Sequence, residues 1–185
     1  QPEAANKTDI RRAIAEVGES QEHGFTDHFD RVAFWTHSLA VAVAAEMIAA
    51  AHKGDKELKP DEAFVAGLLH DIGKVALDVV LPKSFSRVIE LADLNHGNIA
   101  ELERRIVGID HHTAGKRLAE QWKLPHRLQD CIWLHGSSYD MLPRLDHRRL
   151  VGLVSLADLI VRKQHLGYSG NFTYQQGEQE LCEKL

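Results

Sequence analysis

Cysteine is nearly absent. The chain of 185 residues has two, Cys131 and Cys182, far apart and without CxxC spacing. That pattern argues against a disulfide framework and a cysteine zinc site, and it fits a reducing cytoplasm, the location expected here. Long hydrophobic runs are missing too. The longest nearly apolar stretch, residues 39–51, is interrupted by Glu46 and falls short of the roughly 20 residues of a membrane span. The N-terminus has no basic segment followed by an apolar one, so no signal peptide is read, and the missing initiator Met predicts a piece of a longer protein. Positive charge is in deficit: 22 Lys and Arg against 27 Asp and Glu leave a net charge of −5. Neither nucleic acid nor an anionic membrane surface is an expected partner of such a chain.

What the sequence does have is helical patterning. Residues 9–17 read as a short helix closed by Gly18, and residues 18–28 as a polar loop. An alanine-rich helix is predicted over residues 30–52, where Phe34, His37, Val41, Ala44 and Ile48 share one face through 3-4-3-4 spacing. Pro60, Asp61 and Glu62 then open a helix that runs on through AFVAGLLHDIGKVAL, with Pro in the first turn and acids at the positive end of the dipole. Pro82 marks a break. Further helices are predicted over residues 84–94, 99–107, 109–122, 126–134 and 150–161, followed by a loop and a terminal helix. No strand–helix alternation, hairpin signal or internal repeat is present. The expected fold is all-α, a single helical bundle around one core. The three tryptophans, Trp35, Trp122 and Trp133, read as core or groove packing, and the basic cluster RLDHRR at 144–149 as a solvated helix start.

The unusual count is twelve histidines. Among them His70-Asp71 stands out, because it follows the apolar run VAGLL and precedes Ile72-Gly73-Lys74. Adjacent ionisable groups at a buried helix end need partners, since desolvating a charge is expensive. Two readings stand side by side: a solvated helix terminus, or an imidazole and a carboxylate that hold one cation or bridge two. His37 lies on the apolar stripe of the long helix. Asp158 interrupts the otherwise apolar LVSLADLIV. His111 and His112 open one helix, and His135 ends another. His and Asp therefore recur where apolar helices meet, which is how a mixed His/carboxylate centre is built in a helical bundle.

The order His37, His70-Asp71, Asp158 resembles the H…HD…D pattern of the HD-domain metal-dependent phosphohydrolases, and more closely that of the HDOD branch, whose members are associated with signalling. The stretches FWTHSLAVAVAAEMIA, AFVAGLLHDIGKVALDVVLP, GIDHHTAGKRLAEQWKLP and VGLVSLADLIV carry the likeness over residues 29–162. The resemblance implies that His37, His70, Asp71 and Asp158 form a first metal site. It implies that His111, preferred to His112 because it lies four residues before Gly115, and His135 serve a second metal with Asp71 bridging. The metal would be a divalent transition ion, Fe, Mn, Ni or Zn, present as one or two ions. Asp71 and Lys74 would be the catalytic pair, Asp71 orienting the metals and Lys74 contacting a phosphate. The HD-GYP branch, which the chain resembles around HDIGK, carries a paired HH and a GYP string. Here Gly136 follows His135 and no GYP follows, so cyclic di-GMP hydrolysis is disfavoured.

Residues 29–166 are expected to form the HD/HDOD-like metal-binding domain, residues 1–28 the remnant of a preceding segment, and residues 167–185 a C-terminal loop and helix. Two functions follow from the resemblance. One is hydrolysis of a phosphorylated small molecule or nucleotide. The other is a non-enzymatic regulatory module with a structural or vestigial metal, whose partners are other domains of a longer signalling protein.

Overall fold

The computed structural model describes residues 29–52, 57–174 and 177–185; the helix expected over residues 9–17 lies outside them. Helix α1 spans Arg31–Ala51. Its N-cap, Asp30, accepts a hydrogen bond from the Ala33 N–H at 2.8 Å, a contact worth about 1 kcal/mol. The buried face carries Phe34, His37, Ser38, Val41, Ala42, Ala45 and Ala49 and packs against α2 and α8. With 21 residues, α1 is longer than the apolar stretch read at residues 39–51 and is long and apolar enough to cross a membrane by length and composition alone. Its buried positions belong to the core of this domain.

One helix is expected through residues 60–77. The structure has two: α2, Pro60–Leu69, and α3, Ile72–Val80, with His70 and Asp71 at the break. Asp71 leaves helical geometry, at φ −100° and ψ 10°. The cause lies about forty residues downstream. A Cβ at Gly73 would sit 1.8 Å from the His111 carbonyl oxygen and 2.7 Å from the Gly115 nitrogen. The first turn of α3 therefore presses backbone to backbone on the first turn of α6, and it reaches that position only by turning away from α2.

Helix α4, Pro82–Asn95, starts at the proline that ends α3, where the missing N–H costs nothing. Helix α5 is Ile99–Ile106, capped by the Asn98 side chain. Helix α6 is His111–Gln121, capped by the Asp110 carboxylate on Thr113 N–H at 2.9 Å. Helix α7 is His126–Leu134, followed by a short 3-10 turn at Tyr139–Met141. Helix α8, Arg148–Lys163, and α9, Glu178–Lys184, complete the described chain. The fold is all-α, and no strand occurs among the described residues. Its core gathers Phe34, Phe85, Ile72, Ile132, Leu150 and Leu153.

Trp35 packs against the core and Trp133 lines a cavity, as expected, whereas the reading of the basic cluster changes. Trp122 and Trp133 are each more than a third exposed; Trp133 carries the Lys116 ammonium over its ring, 3.5 Å from the centroid. The basic cluster is engaged rather than solvated. His147 meets Asp130 at 2.9 Å, Arg148 donates to the Tyr139 carbonyl, and Arg149 donates to the carbonyl of Leu185.

Candidate metal centre

Every residue singled out around His70-Asp71 arrives at one place. His37 comes from the middle of α1, His70 and Asp71 from the α2–α3 break, His111 from the first turn of α6, His135 from just beyond α7, and Asp158 from α8. All six are buried.

Asp71 stands between two groups of ligand atoms. Its Oδ2 is 3.3 Å from His70 Nε2 and 3.9 Å from His37 Nε2. Asp158 Oδ1 closes this side, 3.2 Å from His37 Nε2 and 3.8 Å from His70 Nε2. The other oxygen, Asp71 Oδ1, is 3.4 Å from His111 Nε2 and 3.4 Å from His135 Nε2. Donor atoms of His37, His70 and Asp71 lie within 4.8 Å of one another, and so do those of His111, His112 and His135.

The tautomers decide what this arrangement can hold. His70 Nδ1 lies 2.7 Å from the Gly67 carbonyl. A carbonyl only accepts, so Nδ1 carries the proton and Nε2 carries a lone pair. His135 Nδ1 likewise faces the carbonyls of Cys131 and Ile132 at 3.2 and 3.1 Å. His111 Nδ1 is 2.6 Å from Glu103 Oε2, which also accepts the His111 backbone N–H at 2.8 Å. Three imidazole lone pairs are thus aimed at the oxygens of one carboxylate, which can only accept. Buried His37 Nε2 and His70 Nε2 have no hydrogen-bond partner. A cation between these groups satisfies them all, and imidazole with carboxylate is the donor set of a divalent transition ion. The acceptor behind each ring is the support that metal-binding histidines ordinarily have.

Electrostatics point the same way. Burial pushes the Asp71 carboxyl up, but the Lys74 ammonium beside it outweighs this and holds Asp71 well below the usual range. For Asp158 the same opposition is won by Arg162, and its pKa is also lowered. Burial keeps His70, His111 and His112 neutral, the form that ligates, by lowering their pKa values. Burial raises Glu103 to about 8, against the His111 backbone N–H that lowers it.

Lys74 is itself buried. It pairs with Asp71 and donates to the Ser169 carbonyl at 2.7 Å. Arg162 holds Asp158 Oδ2 at 2.9 Å and donates to the carbonyls of Asn171 and Thr173 at 3.3 and 2.7 Å. Both cations are therefore spent on the centre's own carboxylates and on the segment that follows α8. A cavity of about 480 Å³ opens beside them, lined by Asp71, His111, His112, His135, Asp158 and Arg162 among others.

Four contributors are not among the residues the sequence singles out as ligands: Glu103, His112, Arg162 and the segment 169–173. Three of them left a signal. His112 stands beside His111 at the start of its helix, Glu103 lies on the apolar stripe of α5 with Ile99 and Ile106, and Arg162 sits four residues after Asp158, one helical turn away. The segment after α8 has no pattern that points to the centre.

Residues 10–138 match the model of the HDOD domain, and the chain belongs to that family. It is similar to a crystal structure of an HDOD domain protein of unknown function from Geobacter sulfurreducens, with 31% identity, a TM-score of 0.76, and coverage of 91% of this chain and 54% of that one. The MmoQ response regulator of Methylococcus capsulatus matches with 28% identity and a TM-score of 0.61, over 78% of this chain and 55% of that one. An uncharacterized protein of Treponema pallidum is 24% identical over 155 residues, which is 83% of this chain and 29% of that protein. The chain spans about half the length of the matched structures and under a third of the Treponema protein.

Proposed function

We propose that this domain is a metal-dependent phosphohydrolase of the HD type, acting on a phosphorylated small molecule or nucleotide within a longer signalling protein. The observation that carries the proposal is the convergence of the His70, His111 and His135 lone pairs on the two oxygens of Asp71. His37, His70, Asp71 and Asp158 would hold one ion, and Asp71 with His111 and His135 a second. Bound there, Fe, Mn, Ni or Zn would supply Lewis-acid activation of water and neutralise charge on a transferring phosphoryl group.

The chain's own residues have defined tasks. Asp71 fixes the spacing of the two halves. Glu103 holds His111 in the tautomer that leaves Nε2 free. The cavity has the size of a small-ligand site. The amine of Lys74 fixes Asp71 and lines that cavity, within reach of a phosphate oxygen once its bond to the Ser169 carbonyl is given up. The similarity to a response regulator supports a signalling context.

A second reading rests on one observation: Lys74 and Arg162 are both engaged by segment 169–173. A domain whose phosphate-binding cations stay engaged is a regulatory module with a structural metal. The test is phosphate or nucleoside monophosphate release from a broad substrate panel with Mn or Fe added. Turnover that falls in Lys74→Ala while both ions stay bound supports the hydrolase. Silence across the panel with two ions bound supports the regulatory module.

A further inference from the structure

We infer that His112, not only His111 and His135, ligates the ion on the outer side of Asp71, giving that half three imidazoles where the inner half has two. The inference rests on the metal-centre reading above and adds a residue to it.

Three observations carry it. A donor atom of His112 lies within 4.8 Å of those of His111 and His135. Its ring is packed between theirs, with centroids 3.9 Å from His111 and 4.7 Å from His135. The space it occupies is made by Gly136. A Cβ at that position would sit 2.3 Å from His112 Nε2. Gly136 has no left-handed backbone angle that would require glycine, so its missing side chain serves the imidazole beside it. The cap on α6 fixes the rest. Asp110 holds Thr113 N–H, which sets His111 and His112 as the first two helical residues and turns both toward the cavity they line.

The chemistry of the two halves then differs. The inner half offers two imidazoles and two carboxylates, and the outer half three imidazoles and one oxygen of Asp71. Imidazole-rich sites suit Zn and Ni, and carboxylate-rich sites suit Mn. The outer half is thus built for the later transition ions.

The test is titration of the metal-free chain with Zn²⁺, read by calorimetry and by elemental analysis after gel filtration. The parent chain binds two equivalents. His112→Ala and His112→Phe, the second keeping an aromatic ring in place, retain one tight equivalent and weaken the other by more than about 100-fold, since loss of a supporting residue behind a ligand already costs 10–100-fold. Gly136→Ala, which displaces the ring without removing it, weakens the same equivalent. Unchanged affinity for both ions in the two His112 variants, with the parent binding two, overturns the role of His112 alone. A parent that binds fewer than two equivalents overturns the dinuclear reading together with it.

Discussion

The two sides of Asp71 are built from the same residue types and placed differently. On the inner side, His37 and His70 are each 1% exposed, and neither lines the cavity. His37 borders a separate, smaller cavity of about 100 Å³ beside Arg162 and Tyr168. On the outer side, His111, His112 and His135 form the cavity wall. The inner ligands come from the core helices α1 and α8 and from the α2–α3 break. The outer ones come from helix ends, the start of α6 and the finish of α7. Residues drawn from core helices are held by packing, whereas residues at helix ends are held by caps and by acceptors such as Glu103. An inner ion would therefore be part of the core, and an outer ion would face the cavity.

Asp71 joins the sides, so its loss has the largest effect. Asp71→Asn keeps the shape and removes the charge that neutralises buried Lys74. We expect loss of both ions and about 3 kcal/mol or more of stability, the cost of leaving one member of a buried ion pair alone. Elemental analysis and denaturant unfolding check it, and retention of two ions breaks the comparison at its centre.

Single ligand deletions separate the sides. His70→Ala should lower metal-loaded stability by about 2 kcal/mol through the core. It should also lose the inner ion. His135→Ala should lose the outer ion, with a shift in melting temperature less than half as large. Equal shifts would show that the two sides are energetically one.

The smallest effect is on pH dependence. Burial lowers the pKa of His70, His111 and His112. With the metal removed, the unfolded chain takes up protons below about pH 6.5 that the folded chain refuses. Stability from these groups is present above that pH and lost below it. Glu103, raised to about 8, works in the opposite direction between roughly pH 4.5 and 8, because its folded form keeps a proton the unfolded form releases. Three imidazoles outweigh one carboxyl, so the metal-free domain should melt lower at pH 5.5 than at pH 7.5. The slope over that range is about 1 kcal/mol per pH unit. Thermal melts after chelation measure it, and His112→Ala should flatten it.

The helices were legible in the sequence because their apolar positions repeat with the helical period, Asp30 and Pro60 mark two of their starts, and Pro82 marks a break. The break at His70-Asp71 was not. The run from Ala63 to Leu77 is uninterrupted as a pattern, and what splits it is a contact between Gly73 and His111 that only the fold creates. The six residues brought together were legible as polar side chains on apolar stripes and through the family resemblance. His112 was passed over because spacing to Gly115 favoured its neighbour, and nothing local in the sequence ties it to Gly136, 24 positions on. Glu103 and Arg162 act through other residues, so motif order does not reveal them.

The central claim is that one carboxylate couples two metal positions. Electron paramagnetic resonance of the chain loaded with two equivalents of Mn²⁺ tests it most directly. Ions sharing Asp71 should give the broad signal of a spin-coupled pair, replaced in Asp71→Asn by the six-line spectrum of isolated Mn²⁺ or by no bound signal. A six-line spectrum from the parent chain, with two equivalents bound, would contradict the account.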